Sequence, residues 1–161
     1  GTFALVPQVV DAVQVPVIAA GGIADGRGIV AALALGASAV QIGSAYLLCP
    51  EAKTAPLHRA ALKSAHDDET VVTRLFTGRP ARSIVNRLIR EVGPMSDVAP
   101  AFPLAGGALA PLRAKSEPAG SSDFMSLWSG QAGRLAREMP ARELTETLAR
   151  EALALMARMS A

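Results

Sequence analysis

The sequence predicts an α/β fold, and a local pattern that occurs twice carries this prediction. Two short apolar runs, at 15–20 and 38–42, have the length and composition of buried parallel strands. Each run ends in glycine where the chain turns towards a helical pattern, first at 21–22 and then at 43–44. The first third of the chain is therefore predicted to contain a repeated strand, glycine turn and helix.

Apolar spacing and capping residues predict the helices of this first third. An apolar stripe predicts a helix over 4–13, before the first strand. A second helix is predicted over 26–35, with Asp25 as its N-cap and Gly36 as its C-terminal stop. A brief helix is predicted over 45–48, directly after the second glycine turn.

The middle of the chain is predicted to be helical, with one turn and one irregular stretch. Helical patterns run over 51–65 and 83–92, and a weakly alternating run at 71–76 lies between them, followed by a turn that contains two arginines. Proline and glycine are frequent in 93–121, which predicts an irregular crossing segment with one helical turn.

Two helices are predicted at the end of the chain. One runs from Ser126 to about Glu138, and the other begins at Pro140, a residue suited to a first helical turn. The second helix is amphipathic, with a predicted ion pair between Glu146 and Arg150 on its polar side. Its apolar face contains Leu144, Leu148, Ala152, Leu155 and Met159.

Composition and charge exclude several classes of protein. Half of the 161 residues are hydrophobic and 19% are charged, which is typical of a globular chain with a core. A net charge of +2 without a basic block predicts no nucleic-acid partner, and no apolar run is long enough to predict a membrane span. Cys49 is the one cysteine, so no internal disulfide is expected and a cytoplasmic location is predicted. No metal site is predicted.

The two glycine turns together predict a phosphate site. In a (β/α)8 barrel, the loops after strands seven and eight form a common phosphate site with the N-terminus of a short helix. Glycine allows backbone N–H groups to approach a phosphate, and a helix N-terminus adds partial positive charge. The alternative is that both are ordinary turns. A complete barrel takes roughly 250 residues, so the chain is expected to be the C-terminal part of a longer protein.

Three segments in order resemble the C-terminal half of the nitronate monooxygenases, formerly called 2-nitropropane dioxygenases. They are PVIAAGGIADGRGIVAALALGASAVQIGSAYLLCPEA at 16–52, FTGRPAR at 76–82 and SLWSGQAGRLAR at 126–137. The glycine turns alone are less specific, because other FMN-binding barrels have similar ones. The resemblance implies the C-terminal part of an FMN-binding (β/α)8, or TIM, barrel with part of an inserted substrate-covering domain.

The resemblance also implies boundaries within the chain. Residues 1–75 would be the last βα units of the barrel with the FMN phosphate site, and 76–121 part of the substrate-covering segment. Residues 122–161 would be C-terminal helices that pack on the barrel.

By the same resemblance, FMN is the cofactor and two short segments hold its phosphate. Gly22 would contact the phosphate after strand seven, and Gly21 would shape the turn. The family's Gln-x-Gly-Thr motif after strand eight corresponds to a segment in which serine replaces threonine and keeps the hydroxyl. That segment is Gln41, Ile42, Gly43 and Ser44.

Four further residues are candidates for the vicinity of the substrate: Arg79, Ser126, Trp128 and Gln131. Three of them have an alternative interpretation. Arg79 and Arg82 lie in a turn, where arginines commonly pair with surface carboxylates. Trp128, at the start of a predicted helix, suits core packing as well as a wall beside the flavin, and Ser126 suits a helix cap.

The resemblance implies that the intact protein oxidises alkyl nitronates, such as propionate-3-nitronate, with O2 to carbonyl compounds and nitrite. The family's catalytic histidine lies in a Gly-Gly-His segment, which is expected upstream of Gly1. His58 and His66 do not match it and are expected to be solvated helix residues, and Cys49 is expected to be a buried inert thiol. No catalytic residue is therefore expected in this chain, which is predicted to be inactive alone.

Two other functions stay open. A flavin-dependent enoyl-acyl-carrier-protein reductase has the same barrel and FMN cradle and would use NAD(P)H to reduce a C=C bond. A non-catalytic truncated remnant would bind a phosphate ligand or nothing. A homodimer is a candidate assembly of the intact protein.

Overall fold

A computed structural model describes residues 1–160. The chain forms two compact units: the first contains Gly1–Lys53 and the chain from Gln131 onward, and the second contains Thr54–Gly130. The boundaries predicted at 75/76 and 121/122 stay a prediction.

The elements alternate between helix and strand in the first 45 residues and are mixed afterwards. In chain order they are α1 (Thr2–Ala12), β1 (Ile18–Ala20), α2 (Gly26–Ala34), β2 (Ala39–Gln41), α3 (Pro56–Ser64), β3 (Thr70–Thr73), β4 (Ala81–Ile84), α4 (Arg87–Val92), α5 (Ala105–Ser116) and α6 (Ala141–Met159). Short 3₁₀ helices cover Ser44–Leu48, Pro50–Ala52 and Gln131–Leu135.

The first unit contains the predicted βα repeat. Strands β1 and β2 pair in parallel, with Ile18 opposite Ala39 and Ala20 opposite Gln41, and α2 connects them. Helix α1 packs on β1 and α2, and α2 packs along α6. One core cluster consists of Val6, Ala19, Ile23, Ala32 and Ala37, and a second of Ala24, Ala45, Cys49, Leu144 and Leu148.

Local signals placed α2 and α6 correctly. The Asp25 side chain accepts a hydrogen bond from Gly28 N, as expected of an N-cap, and the helix ends before Gly36. Helix α6 begins directly after Pro140 and buries Leu144, Leu148 and Ala152, but Met159 at its end is 68% exposed. The predicted pair of Glu146 with Arg150 is wrong: Arg142 donates to Glu146, and Arg150 donates to Thr147.

The second unit is built on an antiparallel hairpin of β3 and β4, with Thr73 opposite Ala81. A third strand position is added by Trp128, which forms an antiparallel bridge with Ser83. The core of this unit consists of Leu75, Phe76, Leu88 and Ile89.

Strand β4 corrects the helix that was predicted over 83–92. Ser83 is fully buried, and its hydroxyl donates to the carbonyl groups of Ile84 and Leu127. The chain is therefore held extended to Ile84, and α4 begins only at Arg87, where Asn86 is the N-cap. Apolar residues at helical spacing were misleading here, because the first of them, Ile84, belongs to a strand.

The helix predicted from Ser126 to Glu138 is also wrong in its first half. Ile84 N donates to Leu127 O at 2.8 Å, and Ser129 N donates to Arg82 O at 3.3 Å. These bonds to β4 hold the segment extended, and a 3₁₀ helix forms only over Gln131–Leu135.

Two other helical predictions need correction. The stretch 93–121 contains a helix of 12 residues, α5. Its Ala, Leu, Arg and Lys residues favour a helix. Pro111 has no N–H to donate to the carbonyl of Gly107, but Gly107 is exposed, so water can bond to that carbonyl. The predicted helix 51–65 is divided, because Lys53 has a left-handed φ of 51° and α3 starts at Pro56.

No helix among residues 1–160 combines the length and the apolar character that a membrane crossing requires.

Candidate functional site

The first glycine turn follows β1 directly, and its backbone requires glycine. Gly21 has φ of 96° and Gly22 has φ of 75°, in the left-handed region that disfavours side chains. A Cβ on Gly22 would meet no atom within 4 Å, and a Cβ on Gly21 would lie 3.2 Å from Thr2 Oγ1. Both glycines are exposed. The turn therefore presents bare backbone to open space.

The second glycine turn follows β2, and its glycine has a different role. Gly43 has φ of −105° and ψ of −73°, which other residues also adopt. A Cβ at this position would meet no atom within 4 Å. The Gly43 carbonyl accepts a hydrogen bond from Tyr46 N at 2.9 Å and opens the 3₁₀ helix Ser44–Leu48. Glycine here leaves space beside the backbone.

Three residues flank the second turn. Gln41 is exposed at the end of β2, and Ser44 is half-buried. Ile42 is half-buried and packs against both core clusters of the first unit, so its side chain belongs to the core. Any contribution of Ile42 to a ligand site would come from its backbone.

The parallel pairing brings the two turns together. Ala20 lies opposite Gln41, so the two turns leave their strands at the same end of the sheet. Carboxyl ends of parallel strands are the usual place for ligands in α/β folds. Two bare glycine positions with open space above them, side by side at this end, fit a phosphate group bound through the backbone.

The N-terminus of α2 is occupied by two carboxylates. Asp25 Oδ1 accepts from Gly28 N at 3.0 Å, and Asp25 Oδ2 accepts from Arg27 Nε at 2.7 Å. Glu151 Oε2, from α6, accepts from Gly26 N at 3.4 Å. The N–H groups of Gly26 and Gly28 are therefore already bonded, and a phosphate at the first turn would depend on the turn itself.

A bidentate ion pair holds Glu151 at this position. Arg137 Nη1 lies 2.6 Å from Glu151 Oε1, and Arg137 Nη2 lies 3.1 Å from Oε2. The hydrogen bond from Arg137 holds the pKa of Glu151 below its ordinary value. Burial raises the pKa of Asp25, but hydrogen bonds from Arg27 and Gly28 outweigh it and lower the pKa overall. Both carboxylates are therefore charged at neutral pH.

Gln131 is the one candidate for the substrate vicinity that belongs to the first unit. It is exposed and opens the 3₁₀ helix Gln131–Leu135, which packs against the 3₁₀ helix Ser44–Leu48. The structure therefore brings the element that starts at Gln131 to the element that follows the second glycine turn.

The two turn arginines do not form the expected pairs with carboxylates among residues 1–160. Arg79 is exposed, and its guanidinium carbon lies 4.2 Å above the ring centre of Phe102. Arg82 donates to the carbonyl of Thr70 at 3.0 Å and to its hydroxyl at 3.1 Å. Arg79 keeps an exposed charge, whereas Arg82 stabilises the β3–β4 hairpin.

Trp128 is half-buried and packs against the core cluster of the second unit, which is closer to the core-packing interpretation. Its ring meets Phe76 edge to face, with ring centres 5.4 Å apart and an angle of 87°. Ser126, two residues earlier, is half-buried and opens no helix. The position of Trp128 beside a flavin stays a prediction.

His58 is not the solvated residue that the sequence indicated, whereas His66 is exposed. His58 Nε2 lies 2.9 Å from the carbonyl oxygen of Trp128. Burial lowers the pKa of His58, and this hydrogen bond partly opposes the effect. The spacing of four residues to the buried Leu62 was the signal that could have placed His58 on the inner face of α3.

Cys49 is buried at 1% exposure, as expected of an inert thiol. Among residues 1–160, no group of three or more His, Cys, Asp or Glu side chains is arranged to hold a metal ion.

The sequence matches one family model, described as nitronate monooxygenase, over residues 1–151. A probable nitronate monooxygenase from Staphylococcus saprophyticus is 40% identical over 158 residues, which are 98% of this chain and 44% of that protein. A probable nitronate monooxygenase from Staphylococcus aureus strain Newman is 39% identical over 148 residues, 92% of this chain and 42% of that protein. The chain thus spans less than half the length of these relatives.

Two solved structures are similar in fold and sequence. Nitroalkane oxidase from Streptomyces ansochromogenes superimposes with a TM-score of 0.90 at 43% identity, over 99% of this chain and 45% of that chain. FabK from Thermotoga maritima superimposes with a TM-score of 0.80 at 34% identity, over 99% of this chain and 51% of that chain. The α/β fold of this chain is therefore shared with both proteins.

Proposed function

Because this chain belongs to the nitronate monooxygenase family, we propose that it supplies the phosphate-binding part of an FMN-dependent enzyme. That enzyme oxidises alkyl nitronates, such as propionate-3-nitronate, with O2 to carbonyl compounds and nitrite. One observation carries the proposal: two bare glycine turns lie side by side at the carboxyl end of a parallel strand pair.

The proposed fold of the whole enzyme is a (β/α)8 barrel, of which β1, α2 and β2 form one part. Exposed apolar residues at β1 support this arrangement, since Ile18 in the strand is 61% exposed and Val15, just before it, is 67% exposed. Apolar residues of a strand are ordinarily buried. Additional strands would cover them. The segment 76–121 is proposed to belong to the substrate-covering domain.

The residues of the two turns would hold the flavin phosphate. Gly21, Gly22 and Gly43 would allow the backbone to approach it, and the side chains of Gln41 and Ser44 would offer further donors. FMN would supply the redox chemistry between nitronate and O2 when bound. Ile42 would keep the second turn in place through its packing in the core.

Four residues are proposed for the substrate vicinity: Arg79, Ser126, Trp128 and Gln131. The support for Arg79 is its charge, because its guanidinium contacts Phe102 and no carboxylate among the described residues, and a nitronate is an anion. The catalytic base is proposed to be a histidine in the part of the enzyme that would precede Gly1. A cytoplasmic location and a homodimer complete the proposal.

The cofactor is tested by purifying the polypeptide that contains this chain at its natural length and releasing its flavin with acid. Chromatography should identify FMN, because the two turns fit one phosphate group. Recovery of FAD, or of no flavin from well-folded protein, would contradict the proposal, and the second result would favour the non-catalytic remnant.

The reaction is tested on the same protein by following oxygen uptake with propionate-3-nitronate and, separately, NADH oxidation. Oxygen uptake at an enzyme-like rate, on the order of 10 per second, with release of nitrite is the expected result. Rapid NADH oxidation without nitronate turnover would favour the enoyl-acyl-carrier-protein reductase instead.

The 161-residue chain expressed alone is a separate test. Its exposed strand residues predict poor solubility, and without a base it should not act on neutral nitroalkanes. A soluble, flavin-loaded chain that consumes oxygen with preformed nitronate would contradict the proposal that this chain is inactive alone.

A further inference from the structure

We propose that Glu151 is a positioning residue for the first glycine turn, and that Arg137 holds Glu151 in the position this requires. The inference rests on the proposed function, because it concerns the turn that is assigned to the flavin phosphate. It adds two residues, far from that turn in sequence, to those that determine how well the phosphate is bound.

The first support is the close approach of α2 to α6. A Cβ built on Gly26, the first residue of α2, would lie 2.6 Å from Glu151 Cβ and 2.7 Å from Ala152 N. Gly26 is buried, and these distances leave no room for a water molecule between it and α6. The start of α2 therefore lies directly on the backbone of α6 at Glu151.

The second support is the set of bonds that Glu151 makes across this contact. The Glu151 carboxylate accepts a hydrogen bond from Gly26 N at 3.4 Å. It also accepts from Nη1 and Nη2 of Arg137, at 2.6 and 3.1 Å. Bidentate bonds between arginine and carboxylate are strong and directional. Arg27, which pairs with Asp25, also lies close enough to attract Glu151. Positive and negative groups therefore alternate around the start of α2.

The third support is the short connection from Gly26 to the turn. Three residues, Ile23, Ala24 and Asp25, separate Gly26 from Gly22, and all three are buried. A buried segment of three residues cannot change its length or path enough to absorb a movement at one end. A displacement of Gly26 away from α6 is therefore passed to Gly22, where the backbone φ of 75° is already uncommon.

The experiment compares Glu151→Gln with Glu146→Gln in the polypeptide that contains this chain at its natural length. Both changes remove one negative charge from α6, but Glu146 pairs with Arg142 and is 60% exposed. The dissociation constant of FMN is measured by titrating the flavin-free protein well below its unfolding temperature. Glu151→Gln should raise it about fivefold to tenfold, equivalent to about 1 to 1.4 kcal/mol, and Glu146→Gln should leave it unchanged.

A second readout does not depend on flavin. Amide hydrogen exchange at 21–24 in the flavin-free protein should accelerate in Glu151→Gln and not in Glu146→Gln. If Glu151→Gln does not fold, Arg137→Lys serves instead, because lysine keeps the charge and loses the two-pronged geometry.

The outcomes separate this inference from the proposed function. Failure of the unaltered protein to bind FMN overturns the proposed function, and amide exchange then decides the role of Glu151. If Glu151→Gln lowers the unfolding temperature but leaves the FMN dissociation constant and the exchange at 21–24 unchanged, Glu151 has only a structural role and the inference is wrong.

Discussion

The two glycine turns of the first unit look alike in sequence and differ in structure. Gly22 has a left-handed φ of 75°, and the helix after it begins on a network of two carboxylates and two arginines. Gly43 has an ordinary φ of −105° and leads directly into a 3₁₀ helix. The first glycine is needed for the path of the backbone, and the second only for the space beside it.

Replacing glycine should therefore have different consequences at the two turns. A side chain at the first turn strains the protein whether or not a ligand is bound. A small side chain at the second turn is expected to leave the free protein undisturbed, because it meets no atom within 4 Å, and to affect only the proposed ligand.

Gly26→Ala should have the largest effect. The new Cβ would lie 2.6 to 2.8 Å from backbone and Cβ atoms of α6, which cannot move aside as a flexible side chain would. The loss is expected to be about 2 to 3 kcal/mol, measured by urea unfolding of the flavin-free protein.

Gly28→Ala is the matched control for this change. Its Cβ would lie 3.2 Å from Ile23 Cγ2, a side-chain atom that can adjust, and alanine favours a helix. Equal losses from the two substitutions would show that the close contact of Gly26 with α6 is unimportant.

Gly22→Ala should have the second largest effect. A left-handed φ costs a non-glycine residue about 1 to 2 kcal/mol, although the added Cβ would meet no atom within 4 Å. Unfolding of the flavin-free protein by urea should report this loss, and FMN binding should weaken as well. An unchanged unfolding midpoint would mean that the turn relaxes to another conformation without cost.

Gly43→Ala should change the unfolding free energy by less than about 0.5 kcal/mol, because its φ and its surroundings accept a methyl group. FMN binding should nevertheless weaken, and more so in Gly43→Val. Flavin content after gel filtration measures this. The buried Cys49→Ala is the control and should retain its flavin; flavin loss in that variant alone would place the site elsewhere.

The remaining effect concerns acid. The pKa of Glu151 is lower in the folded protein than its ordinary value of 4.5, so in the acid range the unfolded chain binds more protons at this residue. Its stabilising contribution is complete well above pH 4.5 and is lost as the pH falls through the folded pKa. The side chain is 35% exposed, so solvent limits the contribution to about 1 kcal/mol or less.

Thermal unfolding from pH 6 down to about pH 3 measures this effect as the difference between the unaltered protein and Glu151→Gln. The difference should narrow towards acid. A constant difference would show that the charge of Glu151 does not stabilise the folded protein.

The first unit could be predicted from the sequence because its signals are local. Asp25 caps the helix that immediately follows it, and Pro140 starts α6. The two strands were indicated by short apolar runs that each end in a glycine turn. The roles of Glu151 and Arg137 could not be predicted, because residues more than 100 positions apart meet only through the packing of α2 on α6.

The second unit was predicted poorly because its structure depends on partners distant in sequence. Ser83 forms a bridge with Trp128, and its hydroxyl donates to the carbonyl of Leu127, which is 44 positions away in the sequence. Helical spacing at 83–92 and at 126–138 carried no sign of that pairing. His58 was misjudged for the same reason, because its acceptor is the distant Trp128 carbonyl.

The hydrogen bond of His58 fixes where this ring carries its proton. A carbonyl oxygen can only accept, so Nε2, 2.9 Å from Trp128 O, must carry hydrogen whether the ring is neutral or charged. The neutral ring is therefore the Nε2–H tautomer, and Nδ1 is the nitrogen that titrates. In nitrogen NMR of the imidazole, only the Nδ1 resonance should move strongly with pH, which gives the second unit an internal reporter of its folded state.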